Sequence, residues 1–148
     1  MQNQSLAQAV GPNFSIAAMQ QAQMHALQVL QQLATQLQPG MTEQQACALA
    51  LKLLQQAGAE QHWHPPIVRF GHNTAKIYSE ASDAAVLLQA EDIFFVDIGP
   101  VFAGHEADVG ATYCLGHNPV HRKVQQAVHQ VFDQVAAHWR QTGCSGEA

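Results

Sequence analysis

The alternation of apolar and polar positions divides the chain into two helical stretches, a run of short strands and a third helical stretch. A polar segment ends at Gly11–Pro12, after which Met19, Ala26, Leu30, Leu33 and Leu37 recur at helical spacing, supplemented by Leu27 and Ala34. The opposite face of this stretch is nearly all Gln. Asn13 is the expected N-cap, and Pro39–Gly40 stops the helix. Thr42 and Gln45 then have capping-box spacing for a second helix, which carries Ala46, Leu49, Ala50, Leu53 and Leu54 on one face. Gly58 suits its C-terminal cap, and Cys47 falls inside it as a small apolar group. Two amphipathic helices joined by a short turn form an antiparallel hairpin, whose apolar face needs a second layer.

The strands supply that layer. Pro65–Pro66 forces an extended entry into Ile67–Val68–Arg69–Phe70, and Gly71 through Thr74 is turn chemistry. Ser79 to Asp92 reads as a loop followed by a turn. The run Ile93–Phe94–Phe95–Val96 is a buried strand that ends at Asp97, where Gly99–Pro100 breaks the regular pairing. After a turn at Gly104, Asp108 to Leu115 is a second strand, expected to pair antiparallel with the first across an irregular connection. Asn118 as N-cap and Pro119 at the first helical position open a third helix, which runs to about Arg140 and is closed by Gly143. Its apolar stripe is Val124, Ala127 or Val128, Val131, Val135 and Trp139, with Phe132 beside them. The expected fold is therefore α/β, of the α+β kind, with helices covering one face of a curved, mostly antiparallel sheet. Residues 13–143 form the domain, between a flexible segment 1–12 and a tail 144–148.

Composition narrows the function. Hydrophobic residues make up 47% of the chain and charged ones 11%, which suits one globular domain with a real core. Six basic residues and a net charge of −5 exclude binding to a nucleic-acid backbone. No apolar run approaches the length of a membrane span, and the first residues lack a basic region and a continuous apolar stretch. Cys47, Cys114 and Cys144 stand at unrelated spacings and fit reduced thiols, so a cytoplasmic location is expected.

The candidate chemistry centres on Asp97 and Asp108. Period-two alternation puts Asp108, Gly110, Thr112 and Cys114 on one strand face, and Asp97 with Phe95 and Ile93 on the other strand. A carboxylate in so apolar a run is costly without compensation, and two that converge repel each other unless a divalent cation lies between them. Two loop-end aspartates bonded to backbone amides remain the alternative. The chain has nine histidines. His25, His121, His129 and His138 fall on helices as solvated residues. His62 and His64 share a face if their segment is extended, either as a ligand pair or as part of a solvated loop before the strand. His105, three residues before Asp108, is a candidate additional ligand.

VDIG at Val96 to Gly99, then Asp108 in DVGATYCLG, resembles the metal-ligand signature of the pita-bread-fold metallopeptidases. That family includes methionine aminopeptidase, Xaa-Pro aminopeptidase and prolidase, with creatinase as a metal-free relative. The resemblance covers about Leu27 to Gly143 and corresponds to the first half of the catalytic domain. It implies that Asp97 is a ligand of one metal and that Asp108 bridges two, the ions being Mn, Co, Fe or Zn. It also implies a His and two Glu from a second half, which this chain lacks. Gly71 and Asn73 match the family's Gly-x-Asn, whereas a substrate-touching histidine of many family peptidases corresponds here to Tyr78. Tyr78 and His64 are the candidate substrate-binding residues. Ala111 stands where the family often has Arg before the Thr. The implied function is that of an Xaa-Pro-aminopeptidase-like hydrolase, removing an N-terminal residue with metal-activated water, but inactive as this chain alone. The alternative is a non-catalytic half-domain acting as a binding or dimerisation module; a creatinase-like, metal-free role is disfavoured by the two aspartates. The expected partners are a peptide substrate and either a second copy or the missing second half.

Overall fold

The computed structural model describes residues 13–143, so the expectations for segments 1–12 and 144–148 lie outside the described residues. Helix α1 spans Ile16–Gln36 and α2 spans Glu43–Gln56. Six short strands follow: β1 Gln61–His62, β2 Ile67–Phe70, β3 Ile93–Ile98, β4 Pro100–Phe102, β5 His105–Glu106 and β6 Val109–Cys114. Helix α3, Pro119–Thr142, ends the described chain. The strands form two antiparallel sheets, ordered β2-β3-β6 and β1-β4-β5.

The α1–α2 hairpin packs on the first sheet. Phe94, Val96 and Ile98 alternate along β3 toward the helices, joined by Val68 and Phe70 from β2. They meet Val29, Leu30, Leu33 and Leu37 of the first helical segment and Ala46, Ala50, Leu53 and Leu54 of the second. Phe70 meets Phe94 edge-on at 6.2 Å, and Phe94 stacks on Tyr113 at 5.3 Å. Burying each large side chain here contributes about 1.5–3 kcal/mol. The capping box forms as expected, with Gln45 N–H donating to Thr42 Oγ1 at 3.1 Å and Thr42 N–H to Gln45 Oε1 at 2.9 Å.

Four expectations are corrected. Ser15 rather than Asn13 caps α1, and the helix is rotated so that Ala22 and Val29 are buried while Met19 and Leu27 stay exposed. The small Ala22 and Ala26 let α1 sit close to Phe102 and Ala107, which bulkier residues would prevent. The connection between the aspartate strands is not irregular: β4 and β5 form a hairpin whose loop residues Ala103 and Gly104 have φ of 49° and 73°. Two successive positive φ values match the twist of a tight hairpin. Finally, α3 does not cover the sheet as α1 and α2 do. It lies along the edge strand β6 with no buried residue, leaving Val124, Val128, Val131, Phe132, Val135 and Trp139 exposed.

Candidate metal centre

The site forms where the two sheets meet. β3 delivers Asp97 beside its end, on the face opposite Phe94, Val96 and Ile98. Asp97 pairs with Gly110, and a Cβ on Gly110 would come within 3.2 Å of the Val96 carbonyl oxygen. Glycine there allows the close strand approach that brings Asp108, at the mouth of β6, next to Asp97. The expected face-sharing holds, since Phe95 pairs with Thr112 and Ile93 with Cys114.

A histidine completes the cluster. Beyond β1 the chain stays paired for one more residue, with Trp63 N–H donating to the Gly99 carbonyl at 2.7 Å, and then bends. The bend turns His64 inward and leaves His62 exposed, so the two do not act as a pair on one face. The His64 side chain is 14% exposed, that of Asp97 39% and that of Asp108 59%. His64 Nε2 stands 3.6 Å from an oxygen of Asp97 and 3.6 Å from one of Asp108. One donor atom from each residue lies within 4.8 Å of the others, a spacing suited to a shared cation. Burial pushes the Asp97 carboxyl above the ordinary carboxylate range; His64 pulls it back and Asp108 adds to the rise.

The other candidates fall elsewhere. His105 is buried with both ring nitrogens engaged: Nδ1 donates to the Ala103 carbonyl at 2.7 Å, and Nε2 accepts from Ser15 N–H at 3.0 Å. It ties α1 to the hairpin, and its nearness to Asp108 in sequence does not make it a ligand. Tyr78 is exposed in the loop after the 3-10 turn Gly71–Ala75. That loop is held by Arg69, which donates to the carbonyls of Lys76, Ile77 and Glu80. Asn73 is fully buried: its amide donates to Glu43 and the Asp83 carbonyl, and its side-chain oxygen accepts from Asp83 N–H. The Gly-x-Asn match therefore marks a structural staple. Sequence spacing left His64 between two readings, because its approach to the aspartates depends on the β1–β4 pairing.

The residues fit a divalent cation, with two carboxylates and an imidazole nitrogen converging on one point. Comparisons with known proteins bear on the fold and the family. The X-Pro aminopeptidase from Thermotoga maritima is 25% identical, with a TM-score of 0.62 over 69% of this chain and 28% of that one. The prolidase from Pyrococcus furiosus is 22% identical, with a TM-score of 0.68 over 78% of this chain and 34% of that one. The zinc-substituted Escherichia coli aminopeptidase P, solved with its product, is 19% identical, with a TM-score of 0.59 over 70% of this chain and 23% of that one. The chain thus spans about a third or less of the length of these structures. No curated protein matches. Residues 17–148 match the sequence pattern of metallopeptidase family M24, and with the partial pita-bread architecture just described the chain belongs to that family.

Proposed function

We propose that this chain is the metal-binding half of an aminopeptidase-like hydrolase that removes an N-terminal residue from peptides, Xaa-Pro peptides foremost, in the cytoplasm. The observation that carries the reading is the convergence of the Asp97 and Asp108 carboxylates in a chain of metallopeptidase family M24. A divalent ion held there, Mn, Co, Fe or Zn, would polarise the scissile carbonyl and activate water. The chain's own contribution is charge and placement. Asp97 is fixed by ladder pairing on both sides, to Ile67 and Gly110, while the more exposed Asp108 leaves the site open to solvent and to a peptide end. Tyr78 stands as the candidate substrate contact on the loop that Arg69 holds. Free Cys47 and Cys114 suit a reducing compartment.

Three converging side chains are too few donors to hold two ions in fixed geometry, so the chain by itself is expected to bind metal without appreciable turnover. The test is calorimetry with Mn²⁺ or Co²⁺ together with hydrolysis of an Xaa-Pro peptide. The expected result is binding that Asp97→Ala and Asp108→Ala abolish, with no turnover by the chain alone. Equal binding by wild type and both variants would overturn the metal reading.

A non-catalytic binding or dimerisation module is the second reading, favoured by the open apolar stripe of α3. Metal-dependent turnover by a strict monomer would refute it.

A further inference from the structure

Resting on the metal reading of Asp97 and Asp108, we infer that His64 is a third protein ligand, so that this chain holds one divalent ion through a nitrogen and two carboxylate oxygens. This assigns His64 to the ion rather than to the substrate.

Three independent observations support it. The first is the tautomer. His64 Nδ1 lies 2.8 Å from the Pro65 carbonyl oxygen, which can only accept, so the ring proton sits on Nδ1. Nε2 is then the ring atom that faces the two carboxylates. Two carboxylates meeting at one point repel each other unless something positive lies among them. A backbone carbonyl that fixes the far nitrogen is also the usual support of a metal-bound imidazole.

The second is distance. A separation of 3.6 Å from Nε2 to each carboxylate is too long for a hydrogen bond. Two donors about 2.1 Å from one tetrahedral ion stand about 3.4 Å apart. The observed spacing is that of ligands around a common centre. It is not that of an imidazolium directly bonded to its counter-ions.

The third is the cradle. A Cβ on Gly99 would come within 2.9 Å of His64 Cδ2, 3.0 Å of its Nε2 and 3.2 Å of Trp63 Cβ. Gly99 lies outside the left-handed region, so backbone conformation does not demand a glycine there. What glycine supplies is room for the ring against the β3–β4 bend. The nitrogen ligand also shifts metal preference, away from Mg²⁺ and Ca²⁺ and toward Zn²⁺, Co²⁺ and Fe²⁺.

The experiment is a Zn²⁺ titration of the full chain followed by imidazole ¹H–¹⁵N correlation spectra, with calorimetry on the wild type, His64→Ala, His62→Ala and Asp97→Asn. The expected result is one Zn²⁺ per chain and a perturbed His64 Nε2 with Nδ1 still protonated. The affinity loss in His64→Ala should exceed the roughly 10–100-fold caused by removing a ligand's hydrogen-bond partner. His62→Ala should bind as the wild type does. Zinc binding that Asp97→Asn weakens while the His64 resonances stay unchanged would overturn the third ligand and leave the aspartate site standing. Binding insensitive to both His64→Ala and Asp97→Asn would overturn both. The wild-type spectra read the ligand directly, so the test does not depend on any variant folding.

Discussion

Substituting Gly99 by alanine should separate stability from metal affinity. The added methyl would lie 2.9 Å from the nearest His64 ring carbon, where an unstrained carbon pair stands about 3.5 Å apart. Something must therefore move by about 0.6 Å. Trp63 Cβ, at 3.2 Å, is tied to a backbone held by the Trp63 N–H bond to the Gly99 carbonyl, and it yields little. The His64 ring can swing on its own torsions, so it absorbs most of the shift. The apo protein should then lose only about 1 kcal/mol, the low end of overpacking costs. A donor displaced by about 0.6 Å, however, far exceeds the roughly 0.2 Å tolerance of a metal–ligand bond. Zinc affinity should fall about 10–100-fold, or about 1.4–2.7 kcal/mol. Urea unfolding without metal and calorimetric Zn²⁺ titration measure the two quantities on one preparation. Wild-type zinc affinity in a folded Gly99→Ala protein would refute the reasoning.

Four further outcomes are expected. Glu43 Oε1 accepts from Phe70 N–H at 2.8 Å and from the buried Asn73 amide at 2.9 Å, so Glu43→Ala should cost about 2–3 kcal/mol in urea unfolding; a loss under about 0.5 kcal/mol would show that water replaces the carboxylate. Glu91 Oε2 accepts from His117 N–H at 2.6 Å and Asn118 N–H at 2.8 Å at the entry to α3, so Glu91→Ala should fray that helix, seen as faster amide exchange over its first turns. Burial pushes the Cys47 thiol above the ordinary thiol range, so at pH 8 it carries less thiolate and should alkylate more slowly with iodoacetamide than a free cysteine; equal rates would contradict its burial. Val131→Glu with Val135→Glu should shift sedimentation toward monomer if the α3 stripe drives self-association, and unchanged profiles would remove that role from the stripe.

Much of the architecture was legible in local pattern because its causes are local. The Thr42–Gln45 box, the Asn118–Pro119 helix start and the Gly143 C-cap each depend on residues within a turn of one another. Period-two alternation alone set which residues share a face within each strand, and the register of β3 on β6 then placed Asp97 opposite Gly110. Tertiary structure decided what alternation leaves open. Residue types at helical spacing gave an apolar face for α1, but packing of Ala22 on Phe102 and Ala107 and of Val29 in the main core chose these two over Met19 and Leu27. The stripe on α3 marks a face made for burial, yet among the described residues nothing buries it, because periodicity carries no information about what lies opposite. The histidines show the same division most clearly. His105 is three residues from Asp108 in sequence but is turned by the Ala103–Gly104 hairpin to bond Ser15. His64 is far from both aspartates in sequence, yet pairing of β1 on β4 and the space at Gly99 put its Nε2 3.6 Å from each of them. Which side chains the sequence offers to a cation was set by residue type; which of them meet was set by long-range strand pairing.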